Sequence, residues 1–405
     1  MRRSGGAVIP MRQNLDKPAY LVGSAALASA MPELPAFQPF DDCILSLLQA
    51  LSERLRPLRA YSDVATFAFW CRRAALNQAK AQYDDLAQRI GRGVVFHIAP
   101  SNVPVNFAFS LVSGLLAGNA NIVRVPSKPF PQVQLIADAL GSLLSAEYSD
   151  LAPYICLVRY PAEQAVNDAF SALCDVRVIW GGDRTIAEVR RSPLQARATE
   201  ITFADRHSIA VIDSDAYLAC EAKDRLAQDF YNDTYFSDQN ACTSPRIVFW
   251  TGTQAARARG EFWARLHALV REQYSLAAVQ SVGKLDAVYQ AAAVSDVRLI
   301  PSEDMLLTRL EADTLSETLM DYKYHSGFFY EKEIAELSGI LPVCGSRCQT
   351  LSYYGLTERQ LTAFLRAARP HGIDRAVPIG KTMDFSLIWD GCDLIRTMSR
   401  RVSIL

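Results

Sequence analysis

Charge imbalance is almost absent from this 405-residue chain: 42 Lys and Arg face 43 Asp and Glu, for a formal net charge of −1 with His neutral. No run of like charges occurs either, so the electrostatic footprint of a nucleic-acid binder is missing, and any bound phosphate must be met by local groups. Long apolar runs are lacking as well. None reaches the roughly 18 residues that cross a bilayer, which excludes membrane insertion by a helix. Histidine is scarce, at five residues, and the nine cysteines show no metal-type spacing. Cys344-x-x-x-Cys348 comes nearest but has no second pair, so no metal site is expected. An odd, scattered set of cysteines fits a reducing cytoplasm. The stretch 20–30 ends in Ala28-Ser29-Ala30 and superficially suggests a cleavable leader. Asp16, Lys17 and Pro18 precede it and its core is mostly Ala, Gly and Ser, so secretion is not expected.

What is present is enough apolar sequence, 50% hydrophobic against 21% charged, to bury a large core over two or three domains. From residue 94 the pattern alternates short apolar strands (94–98, 121–125, 155–159, 176–180) with helical segments (104–118, 130–146, 162–173, 183–191), which predicts a parallel α/β sheet. A second series starts near 208–212, passes through a helix before Cys242, and continues with a strand over 246–250 and a helix over 255–273. The first 90 residues read as mostly helical, with 45–58 and 67–90 as the best segments.

Cys242 stands in Ser237-Asp238-Gln239-Asn240-Ala241-Cys242-Thr243-Ser244-Pro245-Arg246, a small-polar loop just ahead of an apolar run. Backbone N–H groups, short hydroxyls and access to solvent stabilise a thiolate, so this is where a nucleophilic cysteine would sit. An inert loop thiol fits the same residues. Far upstream, Gly93–Pro104 reads as a buried strand running into a proline-bracketed turn that holds Asn102. In α/β sheets such strand-to-helix corners form the ligand crevice. An amide fixed there can stabilise an oxyanion, or it can cap the following helix. His97, in the strand, reads as a satisfied core residue rather than a base. Phe328-Phe329-Tyr330 reads as core, with an acyl tunnel as the other use.

Pro100-Ser101-Asn102-Val103-Pro104 and Asp238-Gln239-Asn240-Ala241-Cys242, about 140 residues apart, together resemble the aldehyde dehydrogenase superfamily. With His97–Pro104, Gly114-Leu115-Leu116-Ala117-Gly118-Asn119, Ile179-Trp180-Gly181-Gly182-Asp183 and Trp389-Asp390-Gly391, the likeness narrows to its acyl-CoA reductase, LuxC-like branch, and runs from about residue 90 to the C-terminus. The resemblance implies an α/β, aldehyde-dehydrogenase-like fold with an active-site cleft between domains. These are a helical layer (1–90), a Rossmann-like NADP-binding domain (91–206), a catalytic cysteine domain (207–374) and a C-terminal return segment (375–405) suited to homo-oligomer contacts. It also implies that an acyl-activating synthetase supplies the acyl group.

Where the superfamily places Lys-x-x-Glu against the adenosine ribose, this sequence has Arg124 and Ser127, with Lys128 alongside. Losing a carboxylate and gaining cations suits a 2′-phosphate, so NADPH is the expected cofactor, although ordinary surface charges at a strand end would look the same. Pro100 and Ser101 join this side. Gly181-Gly182 lies between a strand and a helix, where backbone can approach a pyrophosphate, or simply turn. Members that oxidise aldehydes to acids carry a glutamate that activates water; here Thr202 falls at that position, with Glu200 and Asp205 as nearby substitutes. Without a base, an acyl-cysteine survives to meet a thiol or a hydride. The expectation is therefore reduction of an acyl-CoA or carrier-bound thioester through acyl-Cys242, with Asn102 as oxyanion donor. The reverse, CoA-acylating direction and acyl transfer without redox chemistry use the same residues.

Overall fold

The computed structural model describes residues 14–101 and 103–404. The chain divides into two units, one formed by the described residues up to Ala204 together with those from Leu387 onward, the other by Asp205–Ser386. The helical layer and the Rossmann-like region thus share a unit, and the C-terminal stretch is split between the two.

In the first unit a six-stranded sheet contains β1 (Ala19–Val22), β2 (Val94–Ile98), β3 (Ala120–Arg124), β4 (Ile155–Arg159), β5 (Val176–Trp180) and β6 (Thr199–Phe203), in the order β1-β4-β3-β2-β5-β6. All neighbours are parallel except β1, which adds antiparallel to β4 at the edge. β2 through β5 are buried along almost their whole length, as strands of a parallel sheet covered on both faces are. Chain order reverses between β2 and β5, which makes their carboxyl ends the switch point of a doubly wound fold. The stretch 20–30 holds most of β1 and the helix Ala25–Ala30, whose Ala28 is buried.

The helix expected over 67–90 is broken. The structure has helices Ser62–Trp70 and Arg73–Lys80, with Arg72 extended between them. The neighbouring helix Asp42–Leu55 supplies the reason: Ser52 Oγ donates to the Ala68 carbonyl at 2.6 Å, and Gln49 Oε1 accepts from the Arg73 N–H at 2.8 Å. Side chains from another helix thus take the groups that a continuous helix would have paired internally.

Beneath the sheet a buried polar chain runs from Trp180 Nε1 to Ser110 Oγ (2.8 Å), from Ser110 to His97 Nδ1 (2.7 Å), from His97 Nε2 to Asn121 Oδ1 (2.9 Å), and from Asn121 Nδ2 to the Asn119 carbonyl (2.7 Å). Because Asn121 Nδ2 is spent as a donor, its Oδ1 faces His97 as an acceptor, which assigns a neutral imidazole with its proton on Nε2. Gly114 makes room for this chain: a Cβ there would lie 1.9 Å from Asn121 Oδ1. Part of the Gly114–Asn119 motif therefore serves packing. Trp389-Asp390-Gly391 is likewise a hairpin turn, with Asp390 and Gly391 both at positive φ (48° and 70°), as a type I′ turn requires.

The second unit has a seven-stranded sheet with β7 (His207–Asp213), β8 (Pro245–Thr251), β9 (Val297–Ile300), β10 (Thr308–Ala312), β11 (Phe328–Glu333), β12 (Cys348–Tyr354) and β13 (Arg375–Pro378), in the order β9-β10-β11-β8-β7-β12-β13. Only β9, at an edge, runs antiparallel. Alternate residues feed two cores on opposite faces: Ile209, Val211, Ile247, Phe249, Phe328 and Tyr330 on one, Ala210, Ile212, Val248, Trp250 and Phe329 on the other. Phe328-Phe329-Tyr330 is therefore core.

Burial pulls His97 down from 6.5 to about 4. A folded value below the unfolded one means that the unfolded chain takes up the proton first, so this stability is complete above pH 6.5 and is lost as the pH falls towards 4. Denaturant unfolding at pH 7 and 4.5 should show His97→Gln losing roughly 2–3 kcal/mol less than the wild type across that interval.

Candidate functional site

The cysteine loop lies between the helix Lys223–Asp233 and β8. A short 3₁₀ turn over Tyr235–Ser237 leads into two residues in the left-handed region, Asp238 (φ 52°) and Gln239 (φ 58°). Neither is glycine, so this kink costs on the order of 1–2 kcal/mol per residue. The fully buried Gln239 side chain offsets the cost. Its Nε2 donates to the Pro245 and Phe328 carbonyls (2.9 and 3.0 Å), and its Oε1 accepts from the Gly327 and Phe328 N–H groups (3.0 and 3.1 Å). One amide thereby ties the entrance of β8 to the entrance of β11.

Further bonds fix the rest of the loop. The buried Ser208 hydroxyl donates to the Cys242 carbonyl at 2.7 Å, and Thr243 Oγ1 meets Met383 Sδ at 3.5 Å. The Ser326 N–H donates to the Asp238 carbonyl at 2.9 Å, and Tyr274 Oη donates to the Asp238 carboxylate at 2.6 Å. Arg246, on β8, turns its guanidinium under the loop to the carbonyls of Gln239 and Tyr324. Of the nine cysteines, Cys242 alone is exposed. Burial pushes the thiols of Cys156 and Cys174 up to about 12 and raises Cys71, so these are held protonated. The thiol that the sequence singles out is the exposed one, with Cys43, Cys220 and Cys392 half-buried, and it stands on a loop whose backbone is pinned.

In the first unit a cavity of about 520 Å³ opens at the switch point. Pro100, Ser101, Arg124, Ser127, Gly181 and Gly182 all line it. Lys128 does not; it lies over the Phe130 ring, 5.1 Å from the centroid. Asn102 lies outside the described residues, and the helix that follows starts at Asn106 with Val105 at the N-cap position. The Arg124 guanidinium sits 4.8 Å over the Tyr160 ring with Nη2 3.4 Å from the Tyr160 carbonyl, which holds it at the cavity wall. Trp180, stacked on Phe203 at 3.8 Å, forms another wall, and Gln164, Asn167, Thr185, Glu188 and Arg191 add to the polar lining.

These last residues were not found from sequence, nor were Gln239 and Arg246 as loop anchors. Trp180 carried a usable signal, an aromatic immediately before Gly-Gly at a strand end. Of the substitute bases, Glu200 is held between Arg177 (2.9 and 2.5 Å) and Arg190 (2.7 Å), so its carboxylate is committed to structure. No cluster of metal-binding side chains occurs among the described residues.

Residues 28–297 match the profile of the acyl-CoA reductase (LuxC) family. Among curated relatives, the long-chain acyl-protein thioester reductase of Vibrio harveyi is 27% identical over 165 residues, 40% of this chain and 32% of that protein. The matched stretch thus spans about a third of the relative. Among solved structures, a lactaldehyde dehydrogenase superposes with a TM-score of 0.66 at 13% identity, covering 96% of this chain and 90% of that one. The Pseudomonas syringae indole-3-acetaldehyde dehydrogenase AldA, in complex with NAD⁺, superposes with a TM-score of 0.65 at 11% identity, covering 96% and 86%. The fold is therefore that of the aldehyde dehydrogenases, and with the family profile matched over most of its length, the chain belongs to the acyl-CoA reductase (LuxC) family.

Proposed function

We propose that this protein reduces an acyl thioester, on CoA or on a carrier protein, to the aldehyde, with Cys242 as nucleophile and NADPH as reductant. The observation that carries this reading is the exposure of Cys242 alone among nine cysteines, on a loop fastened by Gln239, Ser208 and Arg246. The Cys242 thiolate attacks the thioester carbonyl. A new C–S bond forms, the original one breaks, and the leaving thiolate takes up a proton. Asn102 is proposed to donate from its amide to the oxyanion of the tetrahedral intermediate; losing such a donor typically costs about 10²–10³ in turnover. Survival of the acyl-Cys242 is favoured because Thr202 cannot act as a base and Glu200 is fastened between two guanidinium groups, leaving Asp205 as the substitute base to test.

The cavity of the first unit fits the phosphate-bearing part of a dinucleotide. It sits at the switch point, Gly181 and Gly182 give it a wall without side chains, and Arg124, Ser127 and Arg191 supply cations and a hydroxyl for a 2′-phosphate. A bound nicotinamide supplies the hydride that converts the acyl group to aldehyde and frees the thiol.

The direct test is NADPH oxidation and aldehyde formation with a panel of acyl-CoAs, for wild type and Cys242→Ala. Aldehyde from the wild type alone supports the proposal; oxidation that survives in Cys242→Ala sinks it. Arg124→Ser should lower kcat/KM with NADPH about tenfold while leaving NADH little changed, the size of one charge-assisted hydrogen bond. Gln239→Ala strands two carbonyls and two N–H groups in the interior. It should cost about 4 kcal/mol in denaturant unfolding and slow acylation of Cys242, because the kink then lacks its anchor.

A further inference from the structure

Three residues of the first unit form one chain at the cavity wall. Arg124 closes β3 and Tyr160 follows β4; these strands are parallel neighbours with Arg124 opposite Val158, so both residues emerge at the carboxyl end of the sheet. Asn167 closes the first turn of the next helix, Gln164–Leu173, its N–H donating to the Glu163 carbonyl at 3.1 Å. The Tyr160 ring carries the Arg124 guanidinium 4.8 Å from its centroid, and Tyr160 Oη donates to Asn167 Oδ1 at 2.8 Å. Arg124 and Asn167 both line the cavity, whereas Tyr160 does not. The chain decides which way the Asn167 amide faces. With Oδ1 taken by the tyrosine, the group left over is Nδ2, a donor of two protons, and it has no hydrogen-bond partner among the described residues. Asn167 is only 7% exposed. A donor that deep in a wall is costly unless an acceptor comes to it.

We propose that Asn167 is a cofactor-binding residue whose amide donates, beside the Arg124 guanidinium, to the 2′-phosphate of NADPH, and that Tyr160 is the positioning residue that orients both donors. This rests on the reading that the cavity takes a phosphorylated dinucleotide. A phosphate offers several acceptor oxygens at once, and a cation with a neutral amide at its side meets them without the desolvation cost of two buried cations. Glu188, the carboxylate of the lining, is paired with Arg184 at 3.2 Å, which offsets its repulsion of an anion. Tyr160 acts through the other two residues: its ring face holds the guanidinium, and its hydroxyl turns the amide so that the donor, not the carbonyl, is on offer. NADH lacks the 2′-phosphate, so these donors separate the two cofactors.

The test is the dissociation constant of NADPH and of NADH, by isothermal titration calorimetry on the full chain without acyl donor, for wild type, Asn167→Ala, Asn167→Asp and Tyr160→Phe. The wild type should bind NADPH more tightly than NADH. Asn167→Ala should weaken NADPH about tenfold and leave NADH within about twofold, as loss of one hydrogen bond to a charged group does. Asn167→Asp, which puts a carboxylate where the donor was, should weaken NADPH further. Tyr160→Phe keeps the ring under Arg124 but releases the amide, and should weaken NADPH about threefold. An unmoved NADPH affinity in Asn167→Ala overturns the proposal, as does an equal loss for NADH, which would place the amide on a part common to both cofactors. If the Asn167 variants do not fold, Tyr160→Phe decides, and an unmoved ratio of the two constants there overturns it. A wild type without preference overturns the 2′-phosphate reading and this proposal together, whereas a preference that survives in the variants overturns the proposal alone. A preference that the variants lose, in a protein whose Cys242 is never acylated, would sink the reductase reading and leave Asn167 standing.

Discussion

The cysteine loop depends on a single side-chain amide. Gln239 stands in a left-handed conformation next to another, and all four hydrogen bonds of its side-chain amide run to backbone groups at the starts of two strands. Where β8 and β11 begin, the backbone would otherwise face the interior unpaired; the Gln239 amide fills that place and turns the chain outwards three residues before Cys242. The strain of the kink and the satisfaction of the strand ends balance each other. That balance makes a surface thiol compatible with a rigid backbone, as covalent catalysis requires.

Exposure separates this thiol from the others. Cysteines packed in the cores are inert because desolvation disfavours the anion. Cys242 is open to solvent, and its carbonyl is held by Ser208. The first unit applies the same economy to its own polar residues. His97 is neutral and saturated within a chain of bonds that ends at Trp180, on the cavity wall, so this strand histidine supports the wall through Ser110 and Trp180.

Much of this was legible in sequence, because the strand and helix signals are local. The apolar runs at 94–98, 155–159 and 176–180 and the helix at 255–273 all appear as expected. The cavity gathers six residues that the motifs had placed together. What sequence concealed was long-range. Nothing near residue 70 announces that Ser52 and Gln49 will take its helical bonds, and nothing near Gln239 announces Phe328. Lys128 is expected from sequence to join Arg124 and Ser127, but it settles on Phe130 and does not line the cavity, while Arg124 is held on Tyr160. Gly114, Gly118 and the Trp389-Asp390-Gly391 turn prove to be architectural, set by close packing against Asn121, by close packing against Phe37 and by hairpin geometry respectively.

The central claim is that the acyl group passes through Cys242. Its most direct measurement is intact mass followed by peptide mapping after incubation with an acyl-CoA in the absence of reductant. The account predicts one acyl group per chain, located on the peptide that contains Cys242 and discharged as aldehyde when NADPH is added. An adduct on another residue, or aldehyde formation with no acyl-enzyme on the way, would contradict it.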